Sequence, residues 1–319
     1  MELYLKKFEK KEVGEYANQS FNNQPLVSIL VLTYNHFKYI KQCIDSILEQ
    51  KTNFSIEILI GDDESNDGTR EICIDYSNRY PKIIRLFLHH RENNIKINGL
   101  NSGRYNYLYT FSKAKGKYIA NCEGDDYWTD PLKLQKQVDF LEGNLDYVCC
   151  FHLCEILRED LGGQISKQPL DRIKYDYTIQ NLLSYWNIPT ASIVFRHTEP
   201  INFPSWFTNV ASGDIALLML IYEKGKFKLI EEYMSVYRIT GGGVSISHSK
   251  FRMIHYRAVL YSHLNEYFNF KYEKEIYNAL YHIYIKYAVI GNVKKRKVKE
   301  RILTILKKKI IRRIKQIFK

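Results

Sequence analysis

Apolar and polar positions fall into blocks whose periods alternate between strand and helix. Residues 26–33, LVSILVLT, form a short β-branched run that predicts a buried strand, broken by Tyr34, Asn35 and His36. Over 39–50, Ile40, Cys43, Ile44, Ile47 and Leu48 recur at helical spacing. A second apolar strand, 56–60, leads into the turn-rich GDDESNDGT, with Thr69 expected to cap a helix reaching about Tyr80. A third strand follows at 83–88. Strand, helix, strand, helix, strand implies a parallel sheet with right-handed crossovers.

After an Asn- and Gly-rich loop, residues 105–113 predict a helix ended by Gly116, and 117–121 a fourth strand running into CEGDDYW. Pro131 is expected to open a helix over 132–141. Farther on, 147–153, 192–195 and 227–237 resemble strands, 215–222 a helix, and everything from Phe251 onward is helical in pattern. Residues 1–24 are polar and aperiodic, an N-terminal extension. The expected organisation is one α/β domain over 25–250, with halves 25–142 and 143–250, followed by a helical C-terminal region, 251–319.

Charge changes this picture at one place. The net charge is +12, yet residues 294–319 hold thirteen Lys and Arg against Glu300 alone, so residues 1–293 balance. That excludes a body built to bind nucleic acid, which needs a basic surface of its own. The six cysteines match neither a zinc ribbon nor a disulfide framework and are expected to be reduced thiols. No apolar run is long enough to cross a bilayer and the chain opens on a charged stretch, so the expected location is cytoplasmic.

The candidate chemistry sits at strand ends. In open parallel sheets, ligands bind beyond the carboxyl ends of the strands. Thr33-Tyr34-Asn35 follows the first strand, Asp62-Asp63 the second, and Glu123-Gly124-Asp125-Asp126 the fourth. One pair of aspartates is ordinarily a solvated turn, but three acidic or polar turns converging on one sheet edge are harder to dismiss, and the two acidic ones form a carboxylate cluster. Hard oxygen ligands of this kind suit Mg²⁺ or Mn²⁺ with positions left open for phosphate oxygens. No glycine-rich phosphate loop is present to do that work instead.

PLVSILVLTYNHFKYIKQCIDSILEQ, EILIGDDESNDGT and AKGKYIANCEGDDYWTDPLKLQKQVDFLE together resemble the family 2 glycosyltransferases, from about Pro25 to Glu142 and more thinly to Ser247. The resemblance implies a GT-A fold: a Rossmann-like, mostly parallel sheet flanked by helices. It implies an inverting transfer from a UDP-sugar donor to a saccharide or lipid-linked saccharide acceptor. On that reading Thr33, Tyr34 and Asn35 line the nucleotide pocket, Asp63 accepts a hydrogen bond from the uracil ring, and Asp62 supports the turn or the ribose. Glu123 and Asp125 stand at the ends of the family's Asp-x-Asp metal motif, with Asp125 the better metal ligand and Asp126 orienting the sugar or the loop. Arg104 either reaches the diphosphate or is an exposed cation.

Asp214, at the start of the apolar helix of SGDIALLMLI, is the implied catalytic base; without the resemblance it reads as a helix cap. Many relatives carry a His directly after Tyr-Arg-Ile near the metal; here that position is Thr240, with His248 or Arg238 as substitutes. His89 and His90 read as loop residues, and Trp128 and Trp186 as core or sugar-stacking rings.

From Arg301 to Lys319, Ile302, Leu303, Leu306, Ile310, Ile314, Ile317 and Phe318 recur at helical steps opposite Lys and Arg. This basic amphipathic pattern suits an anionic membrane surface, so the expected site of action is the cytoplasmic face, peripherally bound. Packing of the stripe on the body and non-specific nucleic-acid contact are the alternatives. Two further readings of the whole chain are a catalytically silent GT-A-fold protein acting as a membrane-associated assembly partner, and a nucleotidyltransferase. The second lacks the triphosphate loop it needs.

Overall fold

The structure, a computed structural model, describes residues 2–16, 24–169, 177–184, 188–241 and 250–288. The chain divides into two compact units, Met1–Ile246 and Ser247–Lys319.

The first unit is built on a mixed sheet. Its nucleus is β2 (Val27–Thr33), paired in parallel with β3 (Ile56–Asp62) on one side and β7 (Tyr118–Glu123) on the other. β4 (Ile84–Leu88) continues the parallel set beyond β3. Past β7 come β11 (Val194–Arg196), antiparallel to both β7 and β9 (Tyr147–Arg158), then β12 (Lys226–Ile239), parallel to β9, and β8 (Tyr127–Trp128). Helices α2 (Ile40–Leu48), α3 (Thr69–Arg79), α4 (Arg104–Ser112), α5 (Lys133–Gly143) and α7 (Gly213–Tyr222) connect the strands. Ile29, Val31, Ile58, Ile60, Ile40, Ile44 and Ile47 are fully buried in one cluster, as the unbroken apolar runs require.

Every strand and helix expected over 25–240 is present within a few residues. Four details differ. The α3 cap is Gly68 at φ 98°, with Asp67 Oδ1 accepting from Thr69 N at 3.1 Å; Thr69 lies inside the helix. Pro131 precedes the cap position Leu132, where Asp130 Oδ1 accepts from the Leu132 amide at 2.8 Å. The aperiodic N-terminus holds α1 (Glu2–Lys6) and an edge strand, β1 (Gly14–Tyr16), antiparallel to β4. β10 (Gln164–Lys167) extends β9 with every residue exposed. β1 is held by backbone pairing and by Arg85, which donates to Glu15 Oε1, and these short edge strands leave no apolar period to read.

In the second unit, α8 (Lys250–Tyr267) and α9 (Glu273–Ala288) pack together, the break marked by Asn269 and Phe270 at positive φ. The basic segment 294–319, Trp186 and His248 lie outside the described residues. No helix among the described residues is long and apolar enough to cross a membrane.

Candidate active site

Parallel register brings the strand ends together: Thr33 stands opposite Asp62, and Leu32 opposite Glu123. The ladder runs one step further, the Asp63 amide donating to Thr33 O at 3.0 Å. The two loops are then laced side to side. Asn35, at φ 54°, donates its amide to Ser65 Oγ at 2.9 Å and accepts from the Asn66 amide on Oδ1 at 3.0 Å. Asparagine tolerates this left-handed conformation better than most residues.

Asp62 and Asp63 have separate jobs. Asp62 is fully buried and turned back into the fold, its Oδ2 accepting from Arg70 Nε at 2.5 Å and Ser65 N at 3.2 Å. Of the two roles read for it, the geometry matches support of the turn. Asp63 Oδ2 accepts from Asn94 Nδ2 at 2.9 Å and Arg91 Nη1 at 3.2 Å, while Oδ1 is buried with no partner. Burial pushes the Asp63 carboxyl up to about 6, against the pull of Asn94 and Arg91. The Arg91 guanidinium also lies 3.8 Å from the centroid of the Tyr34 ring, which is 39% exposed. A flat aromatic surface beside an unsatisfied carboxylate oxygen is the chemistry of a planar, N–H-bearing ligand.

The acidic turn after β7 is pressed against the first strand end. The Gly124 amide donates to Leu32 O at 2.9 Å, and a Cβ at Gly124 would lie 2.8 Å from both His36 Nδ1 and Thr33 Oγ1, so no larger residue fits. Burial, then the charges of Asp125 and Asp214, push Glu123 up to about 8. Asp125 is partly open, with His36 Nε2 3.9 Å from Oδ2. Burial lowers the His36 imidazole despite Asp125 and Asp67, which favours its neutral form. Asp126 is buried, and that burial holds its carboxyl well above the usual range. Its Oδ1 accepts from the Arg238 amide at 2.8 Å and its Oδ2 has no partner.

Arg238 donates to Asp125 O (Nε, 2.7 Å), Glu159 Oε1 (Nη1, 2.6 Å) and Gln42 Oε1 (Nη2, 2.8 Å), so it braces the acidic turn as a cation. Trp128 is core, its indole N–H donating to Ala191 O at 2.9 Å. His89 is buried edge-on to Tyr105 and Tyr109.

Asp214 lies in the first turn of α7, half-buried; the cap position belongs to Ser212, whose side chain makes no capping hydrogen bond. The capping role is therefore not what the geometry displays. Its charge acts on Glu123, and on the Tyr237 hydroxyl together with Asp126, Asp125 and Glu123, which puts Asp214 within electrostatic reach of the acidic turn. Arg104 is neither exposed nor turned outward: it is buried, donating to Phe207 O and, at 3.1 Å, to Val210 O in the loop before α7.

Among the described residues no three His, Cys, Asp or Glu side chains form a ready-made metal cage. A hard divalent ion held by one or two carboxylates and completed by substrate oxygens needs none. The outward-open Asp125, the unsatisfied Asp126 oxygen and a Glu123 burdened by like charge fit such an ion.

A family model, "Glycosyl transferase family 2", matches residues 28–197, more than half the chain. The chain belongs to glycosyltransferase family 2. The uncharacterized protein Rv1520 of Mycobacterium tuberculosis is 36% identical over 218 residues, 68% of this chain; the match spans only 60% of that relative's length. TuaG of Bacillus subtilis, whose name assigns it to teichuronic acid biosynthesis, is 28% identical over 229 residues, 70% of this chain and 83% of its own. Among solved structures, S. aureus TarS 1–349 with UDP-GlcNAc aligns with a TM-score of 0.54 at 16% identity, over 82% of this chain and 81% of that one. A mannosyltransferase of Pyrobaculum calidifontis with GDP-Man and Mn²⁺ aligns at 0.51 and 16%, over 95% and 86%. The fold of this family 2 chain is accordingly GT-A.

Arg91 and Asn94 were not singled out from sequence. They follow the third strand, whose loop, HHRENN, carries no acidic pair to draw the eye.

Arg238→Met removes the cation from beneath the acidic turn and leaves Glu159 without its partner. The expected cost is about 2 kcal/mol or more of unfolding free energy, read by urea denaturation. Glu159→Gln should cost less, because Glu159 is partly in water.

Proposed function

We propose that this chain is a nucleotide-sugar glycosyltransferase that uses a UDP-sugar, a divalent ion and inverting chemistry. The observation that carries the reading is the register of β2, which brings Asp63 and the Glu123–Asp126 turn to one end of the sheet, with the charge of Asp214 acting on Glu123. Asp63 and the Tyr34 ring take the base, Asp63 Oδ1 accepting the uracil ring N–H. Thr33 and the Asn35-laced loop form the floor of that pocket. Asp125, with Glu123 beside it, holds Mn²⁺ or Mg²⁺, which offsets the charge that develops on the departing diphosphate. Asp126 and Arg238 keep the turn in place. Asp214 takes the proton from the acceptor hydroxyl as that oxygen bonds to the anomeric carbon and the bond to the diphosphate breaks. One displacement of this kind inverts the anomeric centre.

The acceptor is proposed to be a saccharide or lipid-linked saccharide in surface polysaccharide or glycolipid synthesis, as the name of TuaG suggests for that relative. The basic pattern of 294–319, outside the described residues, is proposed to bind an anionic membrane surface on the cytoplasmic side.

A panel of UDP- and GDP-sugars with Mn²⁺, Mg²⁺ or EDTA tests the assignment. One donor should release its nucleotide slowly and only with metal. Asp125→Ala should abolish this, and Asp214→Asn should lower transfer at least about 100-fold, the scale of general-base loss. Turnover in EDTA equal to that in Mn²⁺ would contradict the metal role.

The Asp63 carboxyl adds a pH test. It must be ionised to accept the base N–H, so UDP affinity should fall about tenfold from pH 7 to pH 5. Asp63→Asn should be weak at both pH values, a comparison that separates this effect from ionisation of the nucleotide's own phosphate. For stability the sign is opposite: the folded carboxyl, at about 6 against 3.8, binds its proton more tightly than the unfolded one. This group alone therefore lowers stability as pH rises through that interval.

A further inference from the structure

We propose that Arg104 is a positioning residue for Asp214, a buried cation that clamps the loop delivering the catalytic carboxylate and does not touch the donor. The inference rests on the assignment of Asp214 as the base.

Arg104 opens α4, on the nucleotide-binding half of the first unit, and only 7% of it is exposed. A buried guanidinium is costly unless its charge and donors are answered. No carboxylate lies within ion-pair distance of it among the described residues. Its donors go to two main-chain carbonyls in one short loop, Phe207 O and Val210 O, and its plane lies 4.5 Å from the centroid of the Phe207 ring. That loop leads within four residues into Gly213 and Asp214. Among charged groups, Asp214 does most to stabilise the buried cation, which burial still lowers to about 10.

The fit continues at Gly213. A Cβ there would drive into the Arg104 guanidinium, so the absence of a side chain is what lets α7 begin directly over this cation. The same loop is held from its other end by the N-terminal helix. Tyr4 Oη donates to Thr208 Oγ1 at 3.1 Å and lies 3.4 Å from Ser205 O. Residues 205–210 are thus pinned from α1 and from α4, and Asp214 inherits its position from those pins. A carboxylate that must meet an acceptor hydroxyl loses most of its advantage when displaced by about 1 Å. Such a clamp shapes turnover and leaves nucleotide affinity alone, which sets it apart from a diphosphate ligand.

The test uses the full chain as wild type, Arg104→Lys, Arg104→Met, Gly213→Ala and Asp214→Asn. Three readings are taken: the calorimetric Kd of UDP with Mn²⁺, hydrogen exchange of amides 203–214, and nucleotide release from UDP-GlcNAc, UDP-glucose and GDP-mannose. Arg104→Met and Gly213→Ala should hold the UDP Kd within twofold, lose protection over 205–214, and cut kcat at least tenfold with donor KM unchanged. Arg104→Lys should recover part of kcat. The double variant Arg104→Met with Gly213→Ala should cost little more than either single one, because both break one contact.

A tenfold weaker UDP Kd in Arg104→Met overturns the proposal and returns Arg104 to the diphosphate. Unchanged exchange over 205–214 overturns it as well. Loss of turnover in Asp214→Asn without loss in Arg104→Met overturns the clamp alone, and full turnover in Asp214→Asn overturns the base assignment. If Arg104→Met fails to fold, Gly213→Ala and Arg104→Lys carry the same three readings.

Discussion

Strand β2 pairs in parallel with β3 and with β7, and this double register is the constraint on which the site depends. It puts Thr33, Asp62 and Glu123 at one edge of the sheet, with Asp63 bonded one step beyond and Gly124 seated against Leu32. A slip of one residue in either pairing would turn every side chain of that strand to the other face. It would carry the fully buried isoleucines to the opposite, equally buried face and put Ser28 and Glu57 in their place, so side-chain packing enforces the register and the register assembles the carboxylates.

Gathering acids at one edge carries an electrostatic cost, and arginines distribute it. Arg70 answers Asp62 inside the turn, Arg91 answers one oxygen of Asp63, and Arg238 ties the acidic turn to Glu159 and Gln42. At this sheet end Asp62 Oδ1, Asp63 Oδ1, Asp126 Oδ2 and Thr33 Oγ1 remain without a partner, and Glu123 is lifted by burial and by the charges of Asp125 and Asp214. Unsatisfied buried acceptors and repelling carboxylates are poor for stability and suited to a ligand that brings donors and positive charge. In the proposed function that ligand is a nucleotide-sugar at the carboxyl end of the sheet.

The apolar nucleus was legible because buried strands and amphipathic helices leave a period, as in LVSILVLT and YIKQCIDSILEQ. The carboxyl-end rule then located Asp62, Asp63 and the EGDD turn without a template. What escaped has no period. β1 and β10 are edge strands defined by main-chain pairing, and Arg91 and Asn94 resemble any polar loop until the fold points them at Asp63. Arg104 was read as reaching the diphosphate or exposed and Arg238 as a stand-in for a histidine near the metal; their burial and their partners within the protein are invisible in a linear chain. Asp62 and Asp63, adjacent and chemically identical, separate only once the strand end sends one inward and the other outward.

In the proposed function one nucleotide-sugar spans the base pocket at Asp63 and the acidic turn at Asp125. A crystal structure of the chain with UDP and Mn²⁺ is the decisive measurement. The uracil should lie beside the Tyr34 ring with its N–H on Asp63 Oδ1, and the diphosphate should reach the ion at Asp125. A nucleotide ordered elsewhere, or one seated here with Asp63 and Asp125 both untouched, would contradict it.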